Sequence, residues 1–375
     1  MLCGKCASFS ILDSYLLGGR ALEPREGYGL AVDLGTTNVV LALFNLSTGE
    51  GLSRHSFMNP QRVFGPDVIS RIRAANEGNL EKLRDLIAEA LASGIEALLD
   101  SKGLLSDSVI DIVVAGNTTM AYLLMGLPCD SLGVAPFEPA YEPPGTYGSM
   151  RIVPWLSAFV GGDITAGLLS VLAEGHRCFV LMDLGTNGEI ALYDDGKLTV
   201  TSTAAGPAFE GAHCGTTNHG NSASTVLDNL AQYVNDGIID NKGLLRKEIA
   251  CHGDALFSQK DISDLQLAKS AVRSGFEILL ETAELGIEDL DSVYLAGGIG
   301  QAIKVTSAVT VGLLPEAIKH RVKPVGNTSL SGAARLLLAP ERLGMDMESM
   351  RNVAQEINLA RHPRFQDLFI TNMFF

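Results

Sequence analysis

The sequence predicts an α/β protein built from two like lobes, each with its own mixed sheet, and three observations carry that reading. A string, Val32-Asp33-Leu34-Gly35-Thr36-Thr37-Asn38, recurs 150 positions later as Met182-Asp183-Leu184-Gly185-Thr186-Asn187-Gly188. Each copy lies between short apolar, β-branched runs, the pattern of a strand–turn–strand hairpin. The chain's 40 glycines cluster beside such runs, as expected where tight turns and close backbone approaches are frequent.

The elements follow in order. Residues 1–27 read as a leader carrying Cys3-Gly4-Lys5-Cys6. Leu30–Leu34 and Val39–Phe44 form the first hairpin around Gly35-Thr36-Thr37. Leu80, Leu83, Leu86, Ile87, Ala90, Leu91, Ile95, Leu98 and Leu99 recur at helical spacing over 78–100. A buried-type strand, Ile110–Ala115, meets Gly116, and a helix through Met125 follows, with Asn117 or Thr118 as its N-cap. Six of 14 prolines fall in 128–154, which marks a linker or lobe crossover. The second half repeats the plan: strands at Cys178–Leu184, Glu189–Tyr193 and Leu198–Ser202, then helices at 223–236 and 262–286. A strand, Ser292–Ala296, runs into a Gly297-Gly298-Ile299-Gly300 loop, and a helix near 328–338 follows. The expected domains are a leader (1–27), lobe I (28–155), lobe II (156–340) and a C-terminal extension packing on the lobes (341–375). Lobes I and II are expected to face each other across a cleft.

Composition narrows the function. The 375 residues carry 46% hydrophobic content and a net charge of −15, with no Lys/Arg-rich run. That argues against nucleic acid and against an anionic membrane surface as partners. No apolar stretch reaches the roughly 18–20 residues that span a bilayer, and the N-terminus lacks an apolar signal core. Six scattered cysteines make no disulfide framework, so a reducing cytoplasm is the expected setting.

A strand ending in Asp and turning through Gly-Thr has a physical use. Gly35 and Gly185 let the backbone approach a phosphate closely. The hydroxyls of Thr36, Thr37 and Thr186, with the turn amides through Asn38, Asn187 and Gly188, can donate to phosphate oxygens. Asp33 and Asp183 can hold Mg²⁺ through its water shell, since Mg²⁺ keeps several waters and takes few protein ligands. Glu189 either orients an attacking water or is the solvated first residue of a strand. Gly297, Gly298 and Gly300 would let the backbone lie flat under adenosine. A lone Asp-Leu-Gly-Thr string is most simply a tight turn. Two copies followed by a strand and Gly-Gly point instead to a nucleotide site. Neither a Rossmann nor a P-loop glycine motif is present.

In the order of these motifs the chain resembles the acetate and sugar kinase, heat-shock chaperone and actin superfamily. That resemblance implies an actin-like, ribonuclease-H-like ATPase fold with ATP and Mg²⁺ as cofactors. Further strings sharpen it. Asn59-Pro60-Gln61, Gly65–Ile72, Ala115–Met120, Ala135-Pro136-Phe137 and Phe159–Gly167 resemble the ATPase region of the reductive activators of corrinoid proteins. So do Ala204–Gly211, which includes Gly206, then Gln266–Lys269, Val325-Gly326-Asn327, Pro363-Arg364-Phe365 and Met373-Phe374-Phe375. The resemblance covers about residue 28 to the end. It implies ATP-driven reduction of a Co(II) corrinoid to Co(I) on a methyltransferase partner, with hydrolysis converted into a conformational push.

Two departures stand out. The family's N-terminal ferredoxin domain is represented only by Cys3-Gly4-Lys5-Cys6, and two cysteines cannot complete the four thiolates of an iron–sulfur cluster. Cys3 and Cys6 therefore read as part of a disordered terminus, as half of a four-thiolate iron–sulfur or zinc site shared by two chains of a homodimer, or as a site shared with a separate ferredoxin-like donor. The segment after Gly211, with His213, Cys214 and His219, is shorter than the family pattern and has no fourth ligand in metal register. Asp163, in Gly-Gly-Asp-Ile-Thr, is either an N-cap or a catalytic residue, and Glu210 a partner contact or an ion-pair member. The alternatives to corrinoid activation are a small-molecule kinase of the same superfamily and a nucleotide switch that grips a partner without turnover.

Overall fold

A computed structural model of the chain describes residues 22–185, 187–203, 223–246, 249–252 and 255–375. Cys3, Cys6, Thr186, Gly206, Glu210, His213, Cys214 and His219 lie outside the described residues. The chain forms two compact units. The first takes in the chain to Gly175 and then Thr328–Asn352; the second is His176–Asn327 with Val353–Phe375.

In the first unit, β1 (Tyr28–Leu34), β2 (Asn38–Asn45) and β3 (Gly51–Met58) form an antiparallel meander. Val39–Phe44 of β2 is buried throughout, which fits a continuous apolar run in a central strand. At the edge, β3 instead carries Ser53, Arg54 and His55, polar residues of the kind that blunt a sheet edge. β4 (Val109–Gly116) pairs parallel to β1. β5 (Thr146–Tyr147) and β6 (Met150–Ile152) complete a six-stranded sheet of order β3-β2-β1-β4-β6-β5. The Leu80–Asp100 helix buries Leu83, Ile87, Leu91, Gly94 and Leu98, one face at helical spacing.

The second unit repeats this order. β7 (Cys178–Leu184), β8 (Gly188–Asp194) and β9 (Lys197–Thr203) are antiparallel neighbours. β10 (Ile249–His252) and β11 (Ala255–Phe257) form a separate hairpin. β12 (Ser292–Ala296) and β13 (Val322–Gly326) extend the main sheet in parallel beyond β7, and β14 (Ala354–Glu356) adds to β9, giving β13-β12-β7-β8-β9-β14. The shared order is therefore β3-β2-β1-β4-β6 in one unit and β9-β8-β7-β12-β13 in the other. The string repeat read in the sequence is a repeat of topology, and the fold class is the expected duplicated mixed-sheet α/β architecture.

Several local expectations change. The proline-rich stretch 128–154 is not a bare linker, because β6 within it pairs with β4 through Ile112↔Met150 to Val114↔Ile152. Gly297-Gly298-Ile299-Gly300 opens a short helix, Gly297–Ala302, rather than a flat loop. The units also differ from the lobes drawn on the sequence: the first extends to Gly175 and takes back the Thr328–Leu338 helix. The reason is visible at Gly332, where any Cβ would collide with the Ala166 carbonyl of the Gly162–Val171 helix. These two helices meet backbone to backbone.

Candidate functional site

In the first unit the β1–β2 turn is held from behind. Gly35 N donates to Asn38 O at 3.1 Å, closing the turn. A side chain on Gly35 would meet that same oxygen at 2.5 Å, so glycine is required. Asn59, wholly buried, clamps two more carbonyls: its backbone N donates to Thr37 O at 2.8 Å and its Nδ2 to Gly35 O at 2.9 Å. Asn117 Nδ2 donates to Thr36 Oγ1 at 2.9 Å, while its Oδ1 caps the Thr118–Met125 helix through Met120 N at 3.0 Å. The carbonyls of Gly35, Thr37 and Asn38 thus all have donors, two from buried Asn59 and one from the Gly35 amide. Among the described residues the amides of Thr36 and Thr37 have no acceptor. Thr36 is buried, and Thr37 and Asn38 are exposed.

Two further groups reach Asp33, at the end of β1. Ser329 Oγ, in the first turn of the Thr328–Leu338 helix, donates to Asp33 Oδ1 at 2.8 Å. Asp163 comes from the Gly162–Val171 helix, whose N-cap is Gly161; the N-capping role weighed for Asp163 therefore falls to a glycine. The helix comes this close because Gly161 packs on the chain at Asn117-Thr118, where a Cβ would sit 2.7 Å from Thr118 N. Asp163 is half-buried and its Oδ1 accepts from Ile164 N at 2.9 Å. Burial foremost, and the negative charge of Asp33 beside it, push the Asp163 carboxyl up to about 7.

In the second unit the hairpin is shorter by one residue. Gly185 N donates to Asn187 O at 2.9 Å, so Asn187 does the work of Asn38. The pairing then sets Asp183 opposite Glu189, where the first hairpin sets Asp33 opposite Val40. Glu189 is half-buried and shares a sheet face with Asp183. Thr203 Oγ1 on β9 donates to Gly188 O at 3.0 Å, steadying the exit of the turn. Ala296 pairs with Asp183, and Gly297 follows at φ +80°. A Cβ there would lie 2.8 Å from Leu184 O and collide with Asp183 Oδ1, so this backbone presses on the carboxylate as only glycine can. Beside Gly298 there is open space, and Gly300 packs against Leu295.

Asp33, Gly35, Thr36, Thr37 and Asn38 are therefore brought together in one unit, and Asp183, Gly185, Asn187, Gly188, Glu189 and Gly297 in the other. Asn59, Asn117 as a clamp, and Ser329 escaped the sequence reading. Their partners are 24, 81 and 296 residues away, beyond any local signal.

The family model described as the RACo middle region matches residues 28–174, and that described as the C-terminal ASKHA domain of RACo matches 177–226 and 244–375. The corrinoid activation enzyme RamQ of Eubacterium limosum is 32% identical across 93% of this chain and 70% of its own length. The chain belongs to the RACo family, the reductive activators of corrinoid proteins. A reductase of Methanosarcina barkeri, named for a Co(II) methylated amine-specific corrinoid protein, is similar to it at 22% identity over 92% of this chain and 76% of that protein. A solved reductive activator for a corrinoid, iron–sulfur protein superposes with a TM-score of 0.80 at 29% identity, covering 95% of this chain and 67% of that one.

An ASKHA domain implies ATP, and the residues of this RACo-family chain fit it. The first turn offers unsatisfied amides, and the carboxylates of Asp33, Asp163, Asp183 and Glu189 are the hard oxygen donors Mg²⁺ takes. An iron–sulfur cluster fits Cys129 and Cys178 poorly. Cys129 and Cys178 are buried, and burial foremost pushes their thiols up to about 12 and about 11, away from the thiolate a cluster needs. Among the described residues no helix is long and apolar enough to cross a membrane.

Proposed function

We propose that this protein binds and hydrolyses ATP with Mg²⁺ and uses it to drive reduction of a Co(II) corrinoid to Co(I) on a methyltransferase-system partner. The observation that carries the reading is the Gly35–Asn38 turn, with the carbonyls of Gly35, Thr37 and Asn38 engaged and the Thr36 and Thr37 amides left for an anion, in a chain 32% identical to a corrinoid activation enzyme. Bound MgATP supplies the free energy of phosphoanhydride cleavage.

The residues divide the work as follows. The amides of Thr36 and Thr37 and the Thr36 hydroxyl receive phosphate oxygens in the first unit. Gly185, Thr186, Asn187 and Gly188 do so in the second. Asp33 and Asp183 are the residues that would hold Mg²⁺, through its water shell. Glu189, opposite Asp183, and Asp163, beside Asp33, orient water, and Asp163 accepts or holds a proton near neutral pH. Gly206, Gly297, Gly298 and Gly300 border the nucleoside. The reading includes a separate, ferredoxin-like electron donor, because Cys3 and Cys6 make only two of the four thiolates of a cluster. A reducing cytoplasm matches that chemistry.

The test is spectroscopic. Purified protein is mixed with MgATP, a low-potential reductant and a Co(II) corrinoid protein, and the Co(I) absorbance is followed. Co(I) is expected only with ATP, together with phosphate release that the partner accelerates. Co(I) forming equally well without ATP, or not at all with any candidate corrinoid protein, would sink the proposal.

A further inference from the structure

Arg71, on the Val68–Ala74 helix, is among the largest wholly buried side chains of the protein. Its Nε donates to Gly65 O at 3.0 Å and its Nη1 lies 3.3 Å from Met120 Sδ. Its Nη2 has no acceptor, and among the described residues it forms no ion pair. Burial holds the guanidinium down to about 10, and the charge of Asp67 only partly offsets this. It is still a cation at neutral pH. Asp67 is itself occupied, since its Oδ1 accepts from Ser70 N at 2.8 Å and Ser70 Oγ at 2.9 Å. A buried charge without a partner is among the more destabilising arrangements a protein can hold.

The position of that charge suggests its use. Met120 Sδ also receives Asn59 Nδ2 at 3.6 Å, and the same Nδ2 donates to Gly35 O at 2.9 Å. Three contacts therefore separate the guanidinium from the turn assigned to phosphate. The packing between them is apolar or amide, so the field is weakly screened by water or salt. Arg71 is too deeply buried to touch a ligand.

We propose that the counter-charge of Arg71 is the bound polyphosphate: the residue is a fixed cation behind the turn that raises affinity with each negative charge on the ligand. The inference rests on the ATP reading above. It assigns Arg71 an electrostatic, positioning role and explains why an apolar residue does not fill the site. An unpaired buried cation weakens the ligand-free protein and is neutralised on binding.

Calorimetric titration of Mg²⁺-loaded wild type, Arg71→Met, Arg71→Gln and Arg71→Lys with adenosine, ADP and ATP tests this. Adenosine affinity is expected to stay within about twofold in every variant. ATP affinity should fall roughly tenfold or more in the two neutral variants, ADP affinity by less, and Arg71→Lys should retain most of the gain. Without nucleotide, Arg71→Met should melt at or above the wild-type temperature. Equal losses for adenosine and ATP, or both neutral variants failing to fold, would show a structural role and overturn the inference. If wild type binds ATP more tightly than adenosine and the neutral variants keep that ratio, the inference fails while the ATP reading stands. Wild type binding no ATP overturns both.

Discussion

Asp163 ties the chemistry of the first unit to pH. Its carboxyl holds a proton up to about 7, because burial disfavours the charge and Asp33 repels it. An unfolded chain releases that proton near 4. The folded state therefore binds the extra proton between these values. The stability it brings is complete below about 4 and lost as pH rises through about 7. Asp163→Asn removes the penalty of burying the charge. In protein without Mg²⁺, the melting temperature of this variant relative to wild type should rise from pH 5 to pH 8.5. The same difference at both pH values would refute the assignment.

At the scale of elements, glycines set how closely backbones meet. Gly332 lets the Thr328–Leu338 helix lie on the Gly162–Val171 helix, and Ser329 and Asp163 reach Asp33 from those two helices. Gly332→Ala should destabilise the protein by about 1–3 kcal/mol, as overpacking does. It should also weaken MgATP binding, because both side chains move off Asp33. Chemical denaturation and titration would read the two effects. A stable variant with unchanged binding would mean that the helices shift freely. Much at this scale was legible in advance. The hairpins, the Asn117 cap and the helix over 328–338 follow from local pattern, since periodicity and capping are properties of neighbouring residues. β6 inside the proline-rich stretch and β14 near the C-terminus were not legible. Each is three residues long and owes its conformation to a strand far away in sequence. Asn59 was visible only as part of a string, because its role depends on a turn 24 residues away.

At the scale of the whole molecule, a ligand that binds only the folded state stabilises it by mass action, about 2.7 kcal/mol at a hundred times its Kd. MgATP should raise the melting temperature of wild type. Asp33→Ala should remove most of that rise, since Asp33 stands beside the turn whose amides are open to phosphate. A rise that survives the change would take Asp33 out of the nucleotide site. With two units, melting curves should be read for more than one transition.

The one-residue difference between the two hairpins carries a consequence for how such a protein can diversify. The shorter turn after Gly185 leaves the register intact: the aspartate still pairs with the second residue after the closing asparagine, and only that residue differs, core Val40 in one hairpin and half-buried Glu189 in the other. Loop length and the chemistry beside the aspartate can therefore vary independently in a repeated hairpin. One hairpin keeps an apolar residue across from its aspartate and the other an acid, while the strand order of the two units stays the same.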